Sequence, residues 1–257
     1  MIKNRFFSIL FFVCAFYIHV QAQNNNYNYQ YEVVKMDSTF DKGADLTIET
    51  YMNHLRQEKD KVMDRFIGNS KALLTSFSPM SPLSNLVVDM LFGWGNEYLL
   101  SKKMEKADLG VLNFGGIRAA LQQGRITIGD IYQIFPFDNT VTFVSLKGSE
   151  LKRMFDGFTE KRNTALANVQ TIYSTGKLIS CTIGGFPIEN DKIYTMVTIN
   201  FIATGGDDFL KNIHLESVTN LDAQLRDIFI EEIQKKTANN LEIEAVRDDR
   251  VIIRPTP

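Results

Sequence analysis

A single mixed α/β domain of the α+β type is the fold class that this sequence predicts. Three observations predict it. Apolar residues recur at helical spacing in some stretches and alternate as in strands in others, and the second half is the richer in strands. No Pro-, Gly- or Ser-rich linker interrupts residues 32–257. The 257 residues, 44% hydrophobic and 23% charged, have an ordinary globular composition and suffice for a sizeable core.

The elements follow in order. Asp45 to Asp64 predicts a helix, with Ile48, Met52, Leu55 and Val62 partly periodic. Ser84 is the predicted cap of a second helix, whose Leu86, Val87, Met90, Leu91 and Trp94 share helical spacing. Asp108 to Asn113 is a short apolar run ending at Gly115-Gly116, so a buried strand feeding a loop. Thr127 to Phe135 predicts a short helix lined by Ile128, Ile131 and Ile134. Val141 to Leu146 alternates as a strand, and Gly148 opens a helix to about Phe158. Val169 to Tyr173, Leu178 to Ile183 and Ile193 to Phe201 read as strands, with a hairpin turn at Thr175-Gly176. Thr219 is the predicted cap of the last helix, with Asp222 three residues on and Leu221, Leu225, Ile228 and Phe229 on one face. Lys235 and Lys236 fall in its last turn, where cations suit the helix dipole. Val251-Ile252-Ile253 closes the chain as a strand.

The first residues read as an export signal. Lys3 and Arg5 precede the apolar run Phe6 to Val20, and Val20-Gln21-Ala22 supplies a cleavage site. The run falls short of the ~20 residues that span a bilayer. Cys14 lacks the small residues that precede a lipidated cysteine. The expected organisation is a signal peptide over residues 1–22 and one domain over residues 23–257, with a polar arm to about residue 31. The expected location is periplasmic or extracellular, with no membrane span after cleavage. Lys3 and Arg5 are the only charges in the first 22 residues, so 26 basic and 30 acidic side chains remain. That balance speaks against a nucleic-acid binder, which carries a basic surplus. Cys181 is then alone, in an apolar-flanked segment that reads as a half-buried strand.

The chemistry-bearing residues are few. Past the signal the histidines are His54 and His214, neither near another metal ligand in sequence. Catalytic zinc needs two or three His or Cys ligands, and a dinuclear site needs more. EF-hand spacing, a G-x-S-x-G elbow, a Walker A loop and G-x-G-x-x-G are all absent. No catalytic and no metal-ligating residue is predicted in this chain.

Three segments carry information. In Asn113-Phe114-Gly115-Gly116-Ile117-Arg118 a strand ends and two glycines allow a tight turn that presents an amide and a guanidinium. Such a loop suits an anion, which Arg118 can meet with two donors, or it is a plain turn with a surface arginine. In Phe135-Pro136-Phe137-Asp138-Asn139-Thr140 two rings flank a proline before a strand. From the residues alone, core packing is expected for both rings. In Asn200-Phe201-Ile202-Ala203-Thr204-Gly205-Gly206-Asp207-Asp208-Phe209 a strand runs into a Gly-Gly turn bearing carboxylates. An aspartate there can accept the two hydroxyls of a sugar diol, or the acids are simply solvated.

Together these segments resemble the C-terminal, substrate-binding domain of the 5′-nucleotidase family, which includes UDP-sugar hydrolases and ecto-5′-nucleotidases. The family's first motif reads Asn-Gly-Gly-Gly-Ile-Arg, with Phe114 here in place of the first glycine. Its Pro-Phe-Gly becomes Pro136-Phe137-Asp138, and Leu146-Lys147-Gly148-Ser149-Glu150-Leu151 also fits. Its Asn-Phe-x-Ala-x-Gly-Gly-Asp-Gly-Phe is matched from Asn200 to Phe209 except at Asp208. Ser81 to Asp89 resembles the helix start before the first motif. The resemblance covers roughly residues 81–210 and implies that family's layered helices and sheets.

The resemblance also implies roles. Phe137 and Phe201 match the rings that sandwich a nucleobase, Asp207 the acid that binds ribose hydroxyls, Asn113 a base-contacting amide, and Arg118 an arginine near phosphate or ribose. An arginine upstream of the helix start has no counterpart near Leu73 and Phe77, and a Ser-Gly pair before Val169 is absent. With Phe114, these departures fall on phosphate and ribose recognition rather than on stacking. The family's metals and hydrolytic chemistry sit in a separate N-terminal metallophosphoesterase domain, for which residues 23–80 leave no room. The implied function is the nucleotide- or nucleoside-binding subunit of a split nucleotidase. Such a chain needs no cofactor of its own, and divalent metals are expected only in a partner metallophosphoesterase chain. A stand-alone nucleoside- or nucleotide-binding protein and a degenerate domain kept for assembly are the alternatives.

Overall fold

The computed structural model describes residues 29–39, 45–159, 163–174 and 177–254. The predicted signal peptide and the Thr175-Gly176 turn lie outside these residues. The chain divides into two compact units, Met1–Met52 and Asn53–Pro257.

In the first unit the described residues are exposed. Asp37 accepts hydrogen bonds from the amide and hydroxyl of Thr39, which hold its carboxyl below the usual carboxylate value. Helix α1 (Leu46–Met63) starts where Asp45 accepts the amides of Thr47 and Ile48, at 2.8 and 3.4 Å. This is ordinary N-capping. The helix is where the apolar spacing predicts it, but it buries none of its side chains.

The second unit holds the core. Its first elements are β1 (Phe66–Ser70), α2 (Pro82–Ser101), β2 (Leu109–Leu112), β3 (Gly124–Thr127), α3 (Ile128–Ile134), β4 (Thr140–Lys147) and α4 (Gly148–Asp156). Then come β5 (Ala165–Ala167), β6 (Val169–Ser174), β7 (Lys177–Ile183), β8 (Phe186–Pro187) and β9 (Ile193–Ile199). The chain finishes with α5 (Asn200–Ala203), β10 (Ser217–Gln224), α6 (Leu225–Ala238) and β11 (Val251–Arg254).

Among the described residues these strands make three sheets. A five-stranded sheet has the order β10-β4-β9-β2-β5, a four-stranded one β11-β6-β7-β8, and β1 pairs with β3. In the five-stranded sheet β2 runs parallel to β9, and the other neighbours are antiparallel. Helix α2 packs on β2, β5 and β9, burying Leu83, Val87, Val88 and Leu91. The helix also packs against α6, so its middle buries more of its circumference than one sheet-facing stripe. Ser81 caps α2 and Pro82 occupies its first turn, while Ser84 returns the bond as the third residue of a capping box. The expected cap at Ser84 is therefore one turn late, since proline is favoured at the first helical position.

Arg250 ties the chain end to this layer. Its two terminal nitrogens grip both Asp89 oxygens on α2 at 2.8 and 2.9 Å, and Nη1 also donates to the Leu166 carbonyl. The fork delivers β11 to β6, where it pairs in parallel.

Two further boundaries differ from expectation. Thr219 and Asp222 do not start the last helix. They lie in β10, where Thr219 pairs with Phe143 and Asn220 accepts the Thr142 hydroxyl at 2.7 Å, and α6 begins at Leu225. A strand partner some eighty residues away overrides a local cap signal. The strand predicted to reach Phe201 ends at Ile199, and Asn200–Ala203 makes one helical turn instead. Cys181 is half-buried on β7, and burial pushes its thiol up to about 12. It is an inert packing group at neutral pH.

Candidate functional site: an aromatic cleft at one end of the central sheet

The topology brings the three segments together. Strands β2 and β9 run parallel, so the loops after Leu112 and Ile199 leave from the same end of the sheet. Strand β4 runs antiparallel to β9 with Val141 opposite Ile199, so the loop before Thr140 enters at that end too. The loops enclose a cleft of about 220 Å³ lined by Asn113, Gly115, Gly116, Phe137, Asn139, Phe201 and Asp207.

Two of the loops are anchored by apolar residues that sit beside their lining groups. Phe135 is buried and meets Phe229 of α6 edge-on, with ring centroids 5.1 Å apart. Two residues later, past Pro136, Phe137 is 49% exposed. The expectation that both rings pack in the core thus holds for Phe135 and fails for Phe137. Pro136 separates the two environments. On the other side, Ile202 and Phe209 sink into the core while Phe201 stays 42% exposed. The Asn200 side chain accepts the amides of Phe201 and Thr140, at 2.9 and 3.1 Å, and so ties this turn to the start of β4.

The Phe201 ring lies against Gly206, where a Cβ would come within 2.4 Å of the ring. Only glycine leaves the ring this position. The next residue, Asp207, adopts a left-handed backbone (φ 56°). Aspartate tolerates this better than most residues, and such conformations cluster where a side chain must be aimed. Its Oδ2 accepts from Asn113 Nδ2 at 2.8 Å. A carboxylate only accepts, so this bond fixes which way the Asn113 amide faces. Asn113 is 5% exposed, and its Oδ1 has no hydrogen-bond partner. A buried acceptor left without a partner in a native fold calls for a structural or functional reason.

Four of the five predicted site residues, Asn113, Phe137, Phe201 and Asp207, line this cleft. Arg118 does not. It is exposed, and its Nη1 donates to the carbonyl of Gly115, itself a lining residue, over 3.4 Å. Asn139 joins the lining without having been singled out. Its signal was its place between the Pro-Phe pair and β4, and the Leu225 amide holds its carbonyl at 2.9 Å. Among the described residues no group of three or more His, Cys, Asp and Glu side chains is arranged to hold a metal ion. No described helix is long and apolar enough to cross a membrane.

Comparison with known proteins defines the class. The family model for the 5′-nucleotidase C-terminal domain matches residues 66–212, more than half of the chain. The chain belongs to this family. It is 34% identical over 143 residues to protein UshA of Yersinia enterocolitica, covering 52% of this chain and 26% of that protein. With UshA of Escherichia coli it shares 31% over 118 residues, 43% of this chain and 22% of that one. The chain thus spans about a quarter or less of these relatives. Two solved structures share the fold. The 5′-nucleotidase precursor of Thermus thermophilus gives a TM-score of 0.67 at 22% identity, over 83% of this chain and 44% of that one. The NAD nucleotidase of Haemophilus influenzae gives 0.61 at 17%, over 90% and 48%.

Proposed function

We propose that this chain is exported and binds the nucleoside part of a nucleotide in the aromatic cleft, as the substrate-binding subunit of a split nucleotidase. A separate metallophosphoesterase chain carries the divalent metals and the hydrolysis. The observation that carries this reading is the pairing of two half-exposed phenylalanines with a carboxylate and an orphaned amide oxygen in one cleft. Exposed rings at the end of a well-packed sheet gain little for the fold, whereas each ring stacked on a base is worth about 1–3 kcal/mol. Asp207 supplies a charged acceptor for a ribose diol, and Asn113 Oδ1 an acceptor for a base N–H. Arg118 has only a long bond to give up before swinging toward a phosphate. The identity to UshA supports the family setting, and the basic-apolar-small start of the sequence supports export.

Calorimetric titration with adenosine, uridine and their 2′-deoxy forms tests the binding. Asp207→Asn should weaken the ribonucleosides by about 1–2 kcal/mol more than the deoxynucleosides, because a charged acceptor is lost to one fewer hydroxyl in the latter. No binding of any nucleoside or nucleotide by the wild-type chain overturns the ligand reading. Phosphate release from AMP is expected only when a metallophosphoesterase chain is added, and turnover by the purified chain alone overturns the division of labour. Gly206→Ala provides an internal check. The added methyl forces the Phe201 ring out of place, so adenosine binding should fall by about 1 kcal/mol or more by the same titration.

A further inference from the structure

We propose that Arg226 is the positioning residue for the Phe137 ring, holding the loop that carries it in the ligand-ready conformation. The proposal rests on the nucleoside reading for its binding consequence, and on geometry alone for the loop. Arg226 lies in the first turn of α6 and is only 8% exposed. A buried guanidinium loses hydration, and a cation at a helix N-terminus faces the unfavourable end of the dipole. Its partners show what offsets this. Nη1 donates to the Phe135 carbonyl at 3.1 Å, and Nη2 donates to Asp138 Oδ1 at 2.8 Å and Gln224 Oε1 at 2.9 Å. The guanidinium also lies over the Tyr132 ring of α3, 4.2 Å from its centroid.

Phe135 and Asp138 bracket Pro136-Phe137. One planar fork therefore holds both ends of a loop whose middle carries the exposed ring. Phe137 itself is not part of the core cluster, so its own packing does not place it. Its position comes from the backbone, through Phe135 in the core, the Leu225 bond to Asn139, and the Arg226 fork between them. Asp138 is 78% exposed and gains nothing from burial; it folds over the loop onto Arg226. A loop held in one conformation spares the ligand the cost of selecting it.

The test uses the full chain with Asp138→Ala, Asp138→Asn and Arg226→Gln, each alone and combined with Phe137→Ala. Two readouts are taken: adenosine affinity for every variant, and, for those that keep Phe137, the rate of chymotrypsin nicking after it, with sites mapped by mass spectrometry. The bond after Phe135 is blocked by Pro136, so cleavage in this loop reports on Phe137 alone. Asp138→Ala and Arg226→Gln should speed nicking and weaken adenosine about tenfold, and the affinity loss should vanish when Phe137 is already alanine. Asp138→Asn keeps an acceptor and should restore most of both. A purely structural role would not produce that dependence on Phe137. Because Asp138 is mostly exposed, its variants keep the question open to test even if Arg226→Gln fails to fold. Unchanged nicking in Asp138→Ala overturns the proposal, as does an affinity loss that persists without Phe137. If the wild-type chain binds no nucleoside, the ligand reading fails separately, and faster nicking still supports the loop clamp while unchanged nicking overturns it.

Discussion

Truncating Phe137 or Phe201 to alanine is expected to weaken nucleoside binding by about 1–3 kcal/mol per ring while barely moving the melting temperature. The argument is one of burial. The rings are 49% and 42% exposed, against 2% for Phe135 two residues from the first of them. Removing a fully buried phenylalanine costs about 3–5 kcal/mol, because a cavity remains. Phe135→Ala is thus the control that should melt far earlier, since it removes the edge contact with Phe229 as well. Phe201→Ala should lose slightly more stability than Phe137→Ala, because its ring covers Gly206. Calorimetric titration beside thermal melts separates the cases. If both variants melt as early as Phe135→Ala, the rings belong to the core and the stacking slot does not exist.

Gly148→Ala is expected to cost much stability while leaving the cleft untouched. A Cβ at this position would sit 1.9 Å from the Glu189 carbonyl oxygen and 2.9 Å from Ile188 Cγ2. The obstruction is backbone, so no side-chain rotation relieves it. The segment is also pinned, since the Gly148 and Ser149 amides donate to the Lys192 and Asn190 carbonyls at 2.9 and 3.0 Å. To admit the methyl, the start of α4 must part from residues 189–192 and strain both bonds. Overpacking and weakened hydrogen bonds together should cost about 3 kcal/mol. For a chain of this size that is a fall of roughly 6–12 °C in melting temperature. The cleft lies at the opposite end of β4, about 25 Å away at the rise of a strand. Nucleoside affinity below the melting transition should therefore be unchanged. A melting temperature within a degree of wild type would show that residues 188–192 yield freely.

The longer elements and the shell of the site were legible because their signals are local. The isoleucine spacing after Thr127 matches α3, whose capping box joins Thr127 and Asp130. The unbroken apolar run after Asp108 is β2, buried at every position. The Gly-Gly turns, the Pro-Phe pair and the Asn-Phe start of the last motif mark the three loops in the sequence. Strands β1, β3 and β5 carried no comparable mark. They are three to five residues long, and β1 contains Gly68 and Asn69, which disfavour strands. Their conformation comes from pairing with a distant partner, as Asn69 does with Arg125.

By itself the sequence determined the α+β class, the order of the long helices and central strands, and the residue types gathered at one site. The class and the element order follow from period, capping and turn chemistry, which act over a few neighbouring residues, whereas the gathering at one site was implied only by the family resemblance. Only the tertiary structure decided which of two rings flanking Pro136 is core and which faces the cleft. It also removed Arg118 from the lining, added Asn139, and set a buried arginine 88 residues along the chain against Asp138. These outcomes depend on strand direction and on contacts across the sheet end. Burial and hydrogen bonding are settled by what packs from elsewhere in the chain, and a local pattern carries no record of it.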